Sequence, residues 1–269
     1  NSAPAKFPSL NSRIYVSVYR RFGMGRTGKF FCAQKADLQK HREMLSDMGC
    51  DFEEKDAYVY ALEEQRKLEQ ELSAMERLGF HGDFVEHLPL PFPVAGAVRV
   101  HNQAQFHPLK FVCCLAKGLH IYEHTPVREL IGTTAVTDSG KVAAKAVIVA
   151  THFPFLNKHG SYFLKLYQHR SYVLALENAP DVAGMYVDEA QEGMSFRNAR
   201  DLLLVGGGGH RTGKRGGAWR ELREFARRNY PGATEKYQWA TQDCTCLDGV
   251  PYTGPYSTSP STLSLANGF

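Results

Sequence analysis

Apolar positions recur along this chain with two periods, one helical and one extended. After an irregular start, Phe31, Leu38, Leu45 and Met48 recur at helical spacing, and Gly49 follows as a stop. Residues 56–62 (DAYVYAL) read as a strand. Leu68, Leu72, Met75 and Leu78 then set one apolar stripe on a charged helix that ends at Gly79. The Pro-rich run 88–93 is extended or turn-like and leads to a short strand near Val98. Pro108 opens another helix, with Leu109, Val112 and Ala116 expected on its buried face and Gly118 closing it.

Residues 120–130 (HIYEHTPVREL) alternate as a strand and 133–138 as a second. Ser139-Gly140 then turns the chain into 141–151. Within that run the unbroken stretch Val147, Ile148, Val149, Ala150 predicts a strand buried on both faces. The second half changes character. Strand-like runs at 171–177, 185–188, 194–197 and 202–205 follow one another, with one short helix expected at 160–168. That grouping predicts a mostly antiparallel sheet. Trp219, Leu222, Phe225 and Ala226 define an amphipathic helix that stops before Pro231. A last strand near 237–241 leads into the loop 248–254 (DGVPYTG).

Composition narrows the class. The 269 residues are 43% hydrophobic, enough for one large or two modest globular domains. The net charge of +4 is dispersed, and no dense Lys/Arg block marks a nucleic-acid surface. The six cysteines form no CxxC pair of the zinc or redox kind, and free thiols fit a cytoplasmic protein. Neither a secretory signal nor an apolar run of about 18 residues is present. The chain opens Asn-Ser-Ala-Pro without a methionine and stops after a strand-like run, which is the expectation for an internal piece of a longer protein.

Several local motifs fail a chemical test. Residues 202–215 (LLLVGGGGHRTGKR) place Gly208, Gly213 and Lys214 at phosphate-loop spacing. Arg215, however, stands where a magnesium-binding Ser or Thr is needed. The same glycines miss GxGxxG, because Arg211 falls on the third position. A tight turn of close backbone approach is the alternative reading. On an extended strand His120 and His124 are about 13 Å apart, too far to share an ion, so no metal site is expected. No Ser sits in a GxSxG elbow. Cys244 and Cys246, expected in a loop, read as ordinary thiols. No acid–base dyad stands out, and no catalytic side chain is assigned.

The order of five segments carries more information than any one of them: 104–111 (AQFHPLKF), 124–130 (HTPVREL), 144–155 (AKAVIVATHFPF), 195–213 (SFRNARDLLLVGGGGHRTG) and 239–257 (WATQDCTCLDGVPYTGPYS). In this order they resemble the FAD-dependent oxidoreductases of the D-amino-acid oxidase and glycine oxidase family. The likeness is greatest to a bacterial branch in which some members carry a C-terminal Rieske iron–sulfur domain.

The resemblance implies an α/β (α+β) fold in which an incomplete Rossmann-like FAD-binding domain is interleaved with a mostly antiparallel substrate domain. Residues 104–155 and 241–269 fall to the former, and 50–103 and 156–240 to the latter. It implies FAD as cofactor, held near Thr125, Val127, Ala150, Thr151, Asp248, Gly249, Gly254 and Gly268. Arg197 matches an arginine that clamps the substrate carboxylate, a task suited to a planar guanidinium. His210 and Tyr172 are expected to line the same pocket. The implied reaction is hydride transfer from the carbon beside an amine or amino-acid nitrogen to flavin, giving an imine that water hydrolyses. The GxGxxG turn of such a family is expected ahead of Asn1, so residues 1–269 alone are expected to bind FAD weakly or not at all. Residues 2–9 match a cofactor-side loop but carry Ala3, Pro4 and Pro8 where relatives have hydroxyls. A non-catalytic decayed homologue and a phosphate-loop nucleotide-binding protein are the alternatives.

Overall fold

A computed structural model describes residues 14–45, 48–153, 155, 161–190, 192–249, 251–256 and 263–267. In chain order the helices are α1 (Ile14–Leu45), α2 (Gln65–Arg77), α3 (Pro108–Ala116) and α4 (Ala218–Asn229). The strands are β1 (Glu53–Ala61), β2 (Asp83–Val85), β3 (Gly96–Gln105), β4 (Val127–Ile131), β5 (Thr134–Thr137), β6 (Gly140–Ala143) and β7 (Val147–His152). They continue with β8 (Leu166–Glu177), β9 (Met185–Asp188), β10 (Ser195–Ala199), β11 (Leu202–Arg211), β12 (Thr234–Cys246), β13 (Tyr252–Pro255) and β14 (Leu263–Asn267). The chain divides into two compact units, Asn1–Leu115 with Arg170–Thr241, and Ala116–His169 with Gln242–Phe269.

The first unit is built on an eight-stranded sheet in the order β12-β8-β11-β10-β9-β1-β3-β2. As the strand grouping predicts, it is mostly antiparallel; β1 and β9 run parallel. Strand alternation sends successive side chains to opposite faces. One face carries Tyr60, Tyr186, Phe196, Leu203, Val205, Tyr172 and Leu174 against Leu222 and Ala226 of α4. Those two helix residues are four apart, so they lie on one side of α4. Burying a leucine such as Leu222 stabilises by about 1.5–3 kcal/mol. On the other face Val59, Val98 and Met185 meet Tyr15 and Phe31 of α1 and Leu68 and Met75 of α2.

Helix α1 departs from the expected irregular start, for it is already helical from Ile14. It kinks at Gly23, whose φ of 71° suits glycine, and Thr27 Oγ1 donates to the Gly23 carbonyl at 2.7 Å. Its first turn is capped from a distance: the buried Glu71 carboxylate of α2 accepts from Tyr15 N at 2.7 Å and Val16 N at 3.0 Å. The α3 expectation fails at the burial stage. The helix forms, but Leu109 and Val112 are exposed. Periodicity tells which side chains share a face, not whether another element covers it.

The largest revision concerns the glycine run. Gly206–Gly209 lie inside β11, not in a loop after it, and Lys214 belongs to the following turn. The close-approach reading survives while the turn and phosphate-loop readings fall. A Cβ at Gly207 would meet Met194 Sδ at 2.4 Å, and one at Gly208 the Ala218 carbonyl oxygen at 2.4 Å. Glycine lets β11 run against the start of α4.

The second unit holds two three-stranded sheets, β13-β14-β7 and β4-β5-β6. Val149 and Tyr256 form one small core with Leu130, Val147 and Leu263 around it. Leu166, Cys244 and Cys246 form another beside Tyr162 and Tyr252. The two cysteines therefore sit buried in β12, not in a loop. Burial from water raises both thiols, Cys246 to about 11, so they are poor nucleophiles. The strand over residues 120–130 begins only at Val127, because the chain turns at Glu123–His124 with φ of 52° at His124. The 160–168 helix reduces to a single 3-10 turn at Tyr162–Leu164. Strand β7 is not buried on both faces. Val149 is buried against Tyr256 and Leu130 while Ile148, on the opposite face, is 70% exposed.

Candidate functional site

In the second unit, β7 and β14 run parallel, with Leu265 level with Val149 and Asn267 level with His152. Strand β13 runs antiparallel on the far side of β14, with Tyr252 opposite Asn267 and Gly254 opposite Leu265. Residues scattered through the sequence thereby reach one end of one sheet, Ala150 and Thr151 with the Asp248–Gly249 turn that leads into Tyr252, while Gly254 lies further along β13, level with the middle of β14. Gly268 itself lies outside the described residues. In open α/β sheets ligands bind beyond the carboxyl ends of parallel strands, and this is the carboxyl end of β7 and β14.

The side chains at that end leave the main chain open. Ala150 and Thr151 are exposed, and Thr151 Oγ1 turns back to donate to the Phe153 carbonyl at 3.0 Å. Gly249 has φ of 74° and donates its N–H to the Cys246 carbonyl at 3.1 Å. A Cβ added at Gly249 or Gly254 would meet no atom within 4 Å. Asp248 accepts a hydrogen bond from Tyr252 Oη at 3.1 Å, which ties the turn to β13. An extended cofactor needs such close backbone approach, so these residues fit a dinucleotide. Thr125 and Val127 stand elsewhere. Thr125 Oγ1 donates to the Glu123 carbonyl at 2.8 Å, and Val127 opens β4, whose sheet packs through Leu130 on Val149. Among the described residues no cluster of His, Cys, Asp and Glu has the make-up of a metal site.

In the first unit the three expected substrate residues are separated. Tyr172 Oη and His210 Nε2 are hydrogen-bonded at 3.0 Å, and the Tyr172 ring packs edge-on against Trp219 of α4 at 4.9 Å. That pair belongs to the helix-covered face. Arg197 pairs in register with Leu204, so its side chain leaves the sheet on the opposite face. There Val173, Ala175 and Leu204 form a small cluster with Ala199, Leu202 and Trp239, all of them strand residues. A one-residue step along β8, from Tyr172 to Val173, moves a side chain from one face to the other.

Arg197 is only 6% exposed, and burial lowers its pKa to about 10. It remains charged at neutral pH. Its Nη1 donates to Gln105 Oε1 at 3.3 Å, and Gln105 Nε2 donates to Glu53 Oε2 at 2.9 Å and to the Asn198 carbonyl at 2.8 Å. Arg197 Nε is buried with no partner, and no hydrogen bond among the described residues reaches Nη2. These two nitrogens form the side-on edge of the guanidinium, the fork that matches both oxygens of a carboxylate. Leaving a buried donor unmade costs about 1–3 kcal/mol, which a ligand carboxylate would recover. Residue-by-residue reading missed Gln105 and Glu53. The available signal was a glutamine at the end of an apolar strand, inside the segment 104–111.

Comparison with known proteins identifies the family. Residues 23–269 match the FAD dependent oxidoreductase (DAO) family model. The chain is 30% identical over 287 residues to YhfW of Bacillus subtilis (strain 168), named for a Rieske 2Fe-2S iron–sulfur protein; the match covers 98% of this chain and 56% of that one. The chain thus spans little more than half the length of this relative. Among solved structures it is similar to glycine oxidase from Geobacillus kaustophilus, with a TM-score of 0.70 at 20% identity over 88% of this chain and 71% of that one. L-proline dehydrogenase from P. horikoshii gives 0.71 at 12% identity over 87% and 72%. L-alpha-glycerophosphate oxidase from Mycoplasma pneumoniae, solved with FAD bound, gives 0.68 at 10% identity over 96% and 76%. With the ordered segments and a mixed α/β fold of this kind, the chain belongs to the FAD-dependent oxidoreductase family of the D-amino-acid oxidase type, whose cofactor is FAD.

Proposed function

We propose that this protein oxidises an amino acid at the carbon beside its nitrogen, and that Arg197 holds the substrate carboxylate. The observation that carries the reading is the buried guanidinium with its Nε and Nη2 edge unpaired, on the sheet face opposite α4 that also carries the Val173, Ala175 and Leu204 cluster. A carboxylate on that fork would fix the substrate by two parallel hydrogen bonds and recover the cost of the unpaired donor. Val173, Ala175 and Leu204 cluster on the same face, and polar contacts beside such buried apolar side chains are strengthened.

Bound FAD would supply the hydride acceptor, so that the substrate nitrogen lone pair can form a C=N bond as the carbon–hydrogen bond is lost. Ala150, Thr151, Gly249 and Gly254 would hold the cofactor along their main chain, and Val127 is the further candidate contact. The protein's own task is to orient one carbon–hydrogen bond and to fix the carboxylate, which needs no basic side chain if the amine arrives neutral. Two similar proteins, a glycine oxidase and an L-proline dehydrogenase, are named for amino acids, and both amino acids carry the carboxylate this site suits. We propose further that the full-length protein carries a Rieske domain, as the name of the Bacillus relative suggests.

The test is anaerobic reduction of the flavin in the full-length protein by a panel of amino acids, each paired with the amine lacking its carboxylate. Faster reduction by the amino acids, lost in Arg197→Met, is the expected result. Equal rates for both members of every pair would refute the carboxylate assignment.

A further inference from the structure

We infer that Gln105 is a positioning residue for Arg197, setting the guanidinium so that its side-on edge is presented to the substrate carboxylate. This rests on the reading of Arg197 given above. Gln105 is 3% exposed at the end of β3, and Glu53 pairs with it in register at the start of β1. The short strand β9 pairs with β1 only over Ala57–Tyr60, and with β10 only at Ser195 and Phe196. Gln105 therefore reaches β10 by side-chain hydrogen bonds where no ladder runs between β1 and β10.

The amide serves in one orientation only. Both hydrogens of Nε2 are taken, one by Glu53 Oε2 and one by the Asn198 carbonyl, so Oε1 is left to face Arg197 Nη1. Turned over, the amide would set a donor against the guanidinium and an oxygen against Glu53. Glu53 thus fixes the amide, and the amide fixes the arginine. A neutral amide suits this task better than a carboxylate. A glutamate in its place would pair with the guanidinium internally and compete with the substrate for its charge. Gln105 satisfies one nitrogen without adding a second negative charge to that of Glu53, which already acts on the guanidinium.

The experiment uses the full-length, FAD-loaded protein and benzoate, a carboxylate with no amine to oxidise, titrated calorimetrically. Arg197→Met is expected to abolish measurable binding. Gln105→Met, which keeps the length and removes the bonds, should weaken it roughly tenfold or more, since small misplacements of a clamp are costly. The double variant should be no worse than Arg197→Met alone. With glycine or L-proline, whichever reduces the flavin, Gln105→Met should raise KM far more than it lowers kcat; a merely structural defect would lower both together with the melting temperature. If Gln105→Met fails to fold, Glu53→Ala tests the same chain of contacts, and an unchanged benzoate affinity there overturns the inference. Loss of binding in Arg197→Met with full binding in Gln105→Met would overturn the positioning role and leave the carboxylate reading intact. Unchanged binding in Arg197→Met would remove both.

Discussion

Replacing Glu71 by alanine probes the most consequential polar contact in the core of the first unit. Its carboxylate is fully buried and accepts two backbone N–H groups, those of Tyr15 and Val16, in the first turn of α1. Helices leave their first N–H groups without internal partners, and here a side chain from α2 supplies them. Alanine leaves two donors buried beside Tyr15, which is 1% exposed, and Val16, which is 7% exposed. Each orphaned donor costs about 1–3 kcal/mol, and losing an anion at a helix N-terminus costs about 0.3–2 kcal/mol more. Because such terms are not additive, the expected loss is about 3–5 kcal/mol. In a chain of this size that lowers the melting temperature by roughly 6–20 °C. Glu71→Gln keeps one good acceptor and turns an NH2 toward the other donor, so it should fall between parent and alanine. Urea unfolding followed by circular dichroism measures all three. An alanine variant within about 1 kcal/mol of the parent would show that water, or a shift of α1, replaces the cap.

Other features of the sheet are equally open to test. His101 is held by Asp83 at 2.8 Å and Asp56 at 2.9 Å, which raise its pKa, Asp83 contributing more. Its contribution to stability is therefore complete below the ordinary histidine pKa of about 6.5 and is lost as pH rises through the raised folded value. Urea midpoints measured across neutral and mildly basic pH should fall with pH in the parent and stay flatter in His101→Gln; parallel curves would contradict this. Gly208→Ala must adopt φ of 59° and set its Cβ 2.4 Å from the Ala218 carbonyl, whereas Gly213→Ala meets a φ of 86° and open space. Both pay the left-handed cost of about 1–2 kcal/mol, and only the first should pay more, so equal melting temperatures would argue against close packing of α4 on β11. Magnesium-ATP should produce no thermal shift in the parent or in Lys214→Ala, since Gly206–Gly209 are part of a strand; a shift abolished by that substitution would revive nucleotide binding.

The element types were largely legible because they follow from local periodicity. The α4 stripe, the β9 run and the α2 stripe appear at or near their expected places. The failures share one cause. Leu109, Val112 and Ile148 are apolar at regular spacing yet exposed, because cover depends on elements distant in sequence. The glycine run resembled a loop because glycine has no side chain to announce a strand, and only the approach of Ala218 shows why it is there. The resemblance places His210 and Tyr172 in one pocket with Arg197, yet a strand reverses facing at every residue, and register sets Arg197 on the other face.

The sequence by itself determined the family, through five segments in one order, and with it the cofactor. It also marked Arg197, Ala150, Thr151 and the 248–254 stretch as the places where chemistry would fall. The tertiary structure alone decided which of these stand together. Strand pairing brings Thr151, Tyr252 and Asn267 to one sheet end, although about a hundred residues separate the first two along the chain. Register sends Arg197 away from Tyr172 and toward Gln105, 92 positions earlier. Local pattern carries the period of an element, whereas pairing and register are set by packing across the whole sheet, which no single stretch of sequence contains.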